Sequence, residues 1–195
     1  MGADFPKPKY ITGGCLCEKL RYRVDFPQDH DFEKNSTICH CTQCRKQTGS
    51  LYLPAHGVDS RSAFRWTSCG GADSSNPPES LRHYRATPQA ERGFCADCGS
   101  LMYWRRVGSD TVSIAVGSVD PLFLVGQGAE EYNKKSGKGK SEGVNDSDGV
   151  PEGGFGIALV NGGGGHLWCT MIIPGITERM GDWFTGAKQW PEDDE

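Results

Sequence analysis

Between Glu18 and Asp25, apolar and polar side chains take turns: Leu20, Tyr22 and Val24 lie on one face, Lys19, Arg21 and Arg23 on the other. An extended chain sends successive side chains to opposite sides, so a period of two predicts a strand with one buried face. The segments LRHYR from Leu81, LMYW from Leu101 and VSIAV from Val112 predict strands by the same, looser pattern. HLWCTMII, from His166, predicts a further strand that Pro174 and Gly175 stop. The 3.6-residue apolar repeat of an amphipathic helix is nearly absent, and only residues 177–188 suit a short helix. The pattern predicts a mostly β domain with little helix.

Composition changes that picture in one place. Residues 126–165 include NKKSGKGKSEGVNDSDGVPEGG and end on four consecutive glycines. Such a stretch has too few apolar side chains to offset the entropy of ordering it, which predicts a mobile, glycine-rich insertion. Its GKGKS resembles the end of a phosphate-binding loop, but Lys134 stands where that loop needs glycine and no apolar strand precedes it. The expected organisation is an N-terminal tail at 1–10, a domain at 11–125, the insertion at 126–165, and a C-terminal strand and short helix at 166–190 that complete the same domain. PEDDE at 191–195 reads as a frayed acidic tail.

The 195 residues suit one domain with a decorated edge, and a formal net charge of −4 leaves no basic excess with which to neutralise nucleic-acid phosphates. No apolar run approaches the ~18 residues that would span a bilayer. The start, MGADFPKPKY, lacks the apolar run of a secretory signal, and Pro6 occupies the position where a myristoylation motif takes Ser or Thr. A cytoplasmic, reducing setting is expected, without nucleic-acid or membrane partners. In such a setting nine closely spaced cysteines point to metal rather than to disulfides.

Seven of the nine fall into three groups: Cys15 and Cys17 in GGCLCE, Cys39, Cys41 and Cys44 in CHCTQC, and Cys95 and Cys98 in FCADCGS. Cys-x-Cys on an extended chain puts both thiols on one face, and Cys-x-x-Cys turns two sulfurs toward one ion. Seven ligands divide into four and three. The preferred division closes Cys15, Cys17, Cys95 and Cys98 on one zinc, a saturated and hence structural site. Cys39, Cys41 and Cys44 then share a second zinc whose fourth position stays open, as in catalytic sites. Spacing also allows Cys39 and Cys41 to pair with Cys95 and Cys98, which leaves Cys15, Cys17 and Cys44 as the three. His40 sits between two inward-facing cysteines, so it is expected to point away and pack or hydrogen-bond beneath the site. Cys69 in TSCGG has no near partner, and Cys169 lies in an apolar segment, where a free cysteine behaves as a small hydrophobe.

GGCLCEKLRY, CHCTQCRKQTGS, FRWTSCGG, RGFCADCGSLMYW and VGSVDP follow one another over residues 11–122, with a weaker echo in HLW at 166–168. In these motifs the chain resembles the glutathione-dependent formaldehyde-activating enzymes, the S-(hydroxymethyl)glutathione synthases, among which centromere protein V is grouped. The resemblance implies a tent-like arrangement of antiparallel sheets. It also implies a structural zinc on Cys15, Cys17, Cys95 and Cys98, and an active-site zinc on Cys39, Cys41 and Cys44. The implied reaction is that of a carbon–sulfur lyase: glutathione, or a similar thiol, adds reversibly to formaldehyde or another small aldehyde. GSVDPL departs from the family, whose members often carry a second acidic residue after the first, and the long insertion is a further departure. A non-catalytic, zinc-stabilised binding module of the same family is the alternative.

Glutathione carries two carboxylates, and Arg45, Lys46 and Arg92 flank the cysteine motifs with cations that match them. Thr48, Gly49 and Ser50 offer backbone N–H groups to the same ligand. Arg45→Ala is therefore expected to raise the glutathione requirement while leaving zinc content unchanged.

Overall fold

The computed structural model describes residues 4–68, 77–127, 129, 149–178 and 189–190. Three strands, β1 (Tyr10–Gly14), β2 (Arg21–Asp25) and β5 (Phe64–Trp66), make a small antiparallel sheet in the order β1-β2-β5. A larger sheet takes β3 (Ser36–Cys39), β4 (Leu53–Asp59), β6 (Leu81–Thr87), β7 (Ala90–Cys95), β8 (Leu101–Arg106), β9 (Thr111–Ala115), β10 (Gly165–Leu167) and β11 (Gln189–Trp190). Its order is β11-β10-β3-β4-β9-β8-β7-β6. The helices described are short: α1 (Thr42–Thr48), α2 (Pro121–Val125) and α3 (Gly156–Leu159). The protein is mostly β, as its alternating pattern predicts.

Strand β2 shows how pattern becomes packing. Tyr22 and Val24 are fully buried while Arg23 stays at the surface, with its guanidinium over the Tyr10 ring. The Tyr22 ring stacks on Phe64 at 5.3 Å between centroids, and its hydroxyl meets Ser118 Oγ at 2.9 Å. Phe64 in turn sets its edge against Tyr103 of β8, which joins the small sheet to the large one. Ile11, Leu20, Met102, Ile114 and Phe123 complete this core, and each such side chain contributes about 1.5–3 kcal/mol on leaving water. Gly13 is glycine because a Cβ there would lie 2.4 Å from the Tyr22 hydroxyl and 2.5 Å from the Ser118 carbonyl oxygen. Beside it, the Asp120 carboxylate accepts from Thr12 Oγ1 and from both terminal nitrogens of Arg21, which fastens β1 and β2 to the turn at VGSVDP.

Four expectations are corrected. The sheets are not wholly antiparallel, since β10 runs parallel to both β3 and β11. The strand expected from His166 stops at Leu167, because Trp168 adopts a left-handed backbone (φ 60) and Cys169–Met171 form a 3-10 turn. The insertion expected at 126–165 is packed at its C-terminal end: Phe155, Ala158 and Leu159 are buried, and the Leu159 carbonyl accepts from Ser36 Oγ at 3.1 Å. Glycine richness hid the FGIALV stretch there, and Gly164 fits because a Cβ would fall 2.2 Å from the Lys34 carbonyl oxygen. Nor are residues 1–10 simply a tail, as Phe5 is in the core and Tyr10 begins β1. Residues 130–148, with the lysines of GKGKS, most of the expected helix at 177–188, and the acidic end at 191–195 lie outside the described residues. No helix among the described residues is long and apolar enough to cross a membrane.

Candidate metal centres

The sulfurs of Cys15, Cys17, Cys95 and Cys98 lie within 4.8 Å of one another and form a group that can hold a metal ion. Cys15 follows β1 at the turn into β2, and Cys95 ends β7, so the group joins the small sheet to the large one. Cys15 and Cys17 sulfurs are 3.5 Å apart, and those of Cys17 and Cys95 3.7 Å. A tetrahedron with zinc–sulfur bonds of ~2.3 Å has edges of about 3.8 Å, so this donor set fits zinc. Burial pushes the Cys15 thiol up to about 12. Burial also opposes ionisation of Cys98, yet hydrogen bonds from Ser100 prevail and bring it down to about 6. Lys19 Nζ meets Asp97 Oδ1 at 2.7 Å on the rim, an exposed pair.

Cys39, Cys41 and Cys44 form a second such group, again within 4.8 Å of one another, and all three are buried. Local structure places them. Cys39 closes β3; Cys41 is the N-cap of α1, its sulfur accepting from the Cys44 N–H at 3.3 Å; Cys44 lies in the first turn. Gly49 ends α1 in a left-handed conformation (φ 67), and its N–H closes on the Arg45 carbonyl. Hydrogen bonds from Cys39 and Cys44 hold the Cys41 thiol far below its usual range, while those with Cys41 and Cys44 push Cys39 far above it. Buried, mutually bonded sulfurs of this kind are a donor set that a thiophilic divalent ion suits. Among the described residues the sulfurs thus gather in one group of four and one of three.

His40 belongs to neither group. It is fully buried, and its Nε2 meets Nδ1 of His166 at 2.9 Å with the two rings stacked at 5.2 Å. Burial, then the charge environment of His166 and Arg45, brings His40 down to about 4, so the ring is neutral. Cys169 donates to the His166 carbonyl at 3.0 Å, and Cys69 lies outside the described residues.

The cations divide in an unexpected way. Arg45 directs Nη1 to the carbonyls of His40 (2.6 Å) and Met171 (2.7 Å), and thereby ties the cysteine loop to the segment after β10. Its Nη1 is thus engaged with the chain itself. Arg92 is only 4% exposed, and its Nη2 donates to Gln43 Oε1 on α1 at 2.8 Å. Lys46, Gly49 and Ser50 are exposed, and Thr48 Oγ1 donates to the Cys44 carbonyl while accepting from the Ser50 N–H.

Pattern reading missed the walls of this second centre. Leu53 and Ala115 are buried against the three cysteines, and Leu101, Leu167, Trp168 and Met171 pack around them. Trp168 has the left-handed backbone that bulky residues seldom adopt, a form of strain found at functional sites. LMYW, VSIAV and HLWCTMII contain Leu101, Ala115, Leu167, Trp168 and Met171, but give no hint that these residues meet CHCTQC. Gln43 was hidden inside that motif.

The model of the family described as glutathione-dependent formaldehyde-activating enzyme matches residues 10–135. An uncharacterized lyase of Schizosaccharomyces pombe is 29% identical over 97 residues, which make up 50% of this chain and 58% of that protein. The chain thus spans less than two thirds of that curated relative. A crystal structure of a Rhodobacter sphaeroides protein has 20% sequence identity and a TM-score of 0.42, over 57% of this chain and 89% of that one.

Proposed function

Because this chain belongs to the glutathione-dependent formaldehyde-activating enzyme family, we propose that it adds glutathione, or a similar small thiol, reversibly to formaldehyde or another small aldehyde. The reading assigns two zinc ions: a structural one to Cys15, Cys17, Cys95 and Cys98, and a catalytic one to Cys39, Cys41 and Cys44. One observation carries it. The second group has three sulfurs within 4.8 Å of one another and no fourth ligating side chain among the described residues, whereas the first has four. Three protein ligands leave a place for a reactant.

Zinc bound there would take the incoming sulfur and favour its thiolate, the nucleophilic form of a group whose ordinary pKa is about 8.5. Three thiolates around a divalent ion leave a net charge of about −1, which suits holding a thiol better than polarising a carbonyl. The chain does the rest. Leu53, Ala115, Leu101, Trp168 and Met171 exclude water from the sulfurs and so strengthen every electrostatic contact among them. Arg45 keeps that wall against the cysteine loop through the His40 and Met171 carbonyls. The exposed end of α1, with Lys46 and the N–H groups near Thr48, Gly49 and Ser50, is the surface offered to the carboxylates of glutathione. Addition forms one carbon–sulfur bond. The carbonyl π pair moves to oxygen, which takes up the proton the thiol lost, so no oxidant or second cofactor is needed.

The test is exchange between free formaldehyde and its glutathione adduct, followed by NMR with native protein and with Cys44→Ser. Native protein accelerates exchange and the variant does not. Equal rates with native protein and with buffer would discard the reaction and leave a zinc-stabilised binding module.

A further inference from the structure

Arg92 carries a charge that the rest of the protein leaves unbalanced. On β7 its neighbour Glu91 points to the opposite face, where the carboxylate is shared by Arg85 and Arg105. No carboxylate of the described residues pairs with Arg92, and the side chain is 4% exposed. One end of the guanidinium is fixed: Nη2 donates to Gln43 Oε1 at 2.8 Å. The other end, Nη1, is shielded from solvent and has no hydrogen-bond partner. A guanidinium cannot shed its proton to escape burial, and a buried, unpaired charge is among the costliest features a fold can hold. A negative charge must therefore form beside it when the protein is complete.

Gln43 shows where. It lies between Cys41 and Cys44 in the first turn of α1, so its bond to Nη2 sets the guanidinium against the turn that carries two of the three sulfurs. An incoming ligand is a poor candidate for the partner, because Nη1 is sealed from solvent whereas Lys46 and Ser50 stand open to it. We infer that Arg92, held by Gln43, is the built-in counter-ion of the three-sulfur centre and a positioning residue for its sulfurs. It offsets the surplus negative charge of three thiolates around a divalent ion. A fourth, anionic ligand such as a thiolate then meets a centre near neutrality instead of one that repels it. The inference rests on the proposal that Cys39, Cys41 and Cys44 hold zinc, but it does not depend on the reaction carried out there.

The test is zinc retention at each centre, measured by chelator competition on the full chain, with ¹¹³Cd NMR to separate the two. In Arg92→Met one ion should be held roughly 10–100-fold less tightly, the range that attends loss of a group supporting metal ligands. The four-sulfur ion keeps its native affinity, which also reports that the variant is folded, and Arg92→Lys recovers most of the loss. Native affinity at both centres in Arg92→Met overturns the inference. So does equal weakening of both centres that lysine fails to rescue, since that marks Arg92 as a general packing residue. Failure of the reaction is read separately: a native protein that leaves formaldehyde exchange unaltered while Arg92→Met still loosens one ion refutes the reaction and keeps the counter-ion.

Discussion

Replacing Arg45 by methionine separates bracing from ligand binding. The guanidinium donates to the carbonyls of His40 and Met171 at 2.6 and 2.7 Å, the first bond local and the second joining residues 126 positions apart. A hydrogen bond from a charged donor contributes about 1.5–3 kcal/mol, and the side chain is only partly buried, so water competes for both carbonyls and the low end applies. Together the two bonds are worth about 2–3 kcal/mol to the closure of the wall. Methionine keeps the stem's apolar contacts and removes only the donors. The closure has a local reporter in the His40 amide, which donates to the Leu167 carbonyl at 3.0 Å across β3 and β10. Its hydrogen exchange should speed up by roughly 30- to 150-fold in Arg45→Met, the factor that 2–3 kcal/mol of local opening implies. Native amide exchange combined with a raised glutathione requirement would refute bracing and return Arg45 to the ligand surface.

Acid should weaken the fold in a defined window. Burial, with the neighbouring charge of His30, brings His56 down to about 3, well below the ~6.5 of a solvated imidazole. The unfolded chain then binds the proton more readily, so this contribution is complete above about pH 6.5 and is lost as pH falls toward 3, with a limiting slope near 1.4 kcal/mol per pH unit. Urea unfolding across that range, with zinc content followed in parallel, should show the slope, and His56→Gln should flatten it; an unaltered slope in the variant contradicts the assignment. Cys17→Ser should lower the melting temperature far more than Cys44→Ser, because only the first breaks the knot between the two sheets. Equal losses in the two variants would deny the four-sulfur group its structural role.

How much of this was legible depends on distance along the chain. The cysteine groups were readable because Cys-x-Cys and Cys-x-x-Cys are local: covalent geometry alone brings those sulfurs close, whatever the fold. Strand β2 was readable for a similar reason, since Tyr22 and Val24 declare one face within five residues. Walls of the three-sulfur centre were not. Trp168 and Met171 reach it through parallel pairing of Leu167 with Cys39, a match between segments some 128 residues apart that no local period encodes. The partners of Arg45 and Arg92 were illegible for the same reason. Both were correctly placed near the sulfurs by sequence, but what each side chain bonds is decided by carbonyls and amides from other elements.

Strand β7 gives the two centres a common support. Cys95 belongs to the four-sulfur group, and three residues earlier Arg92 reaches Gln43 beside Cys44, with a bulge at Gly93 and Phe94 between them. A bulge bends its strand and resets which face the next side chains take, and tertiary fastenings on either side keep such a kink in place. The four-sulfur knot holds β7 on one side of the bulge and the Arg92–Gln43 bond holds it on the other. Metal held by the four-sulfur group would thus have a consequence beyond stability: it would fix the strand that carries Arg92. On this account the four-sulfur ion is needed for tight zinc retention by Cys39, Cys41 and Cys44 even though no atom is shared between the two groups.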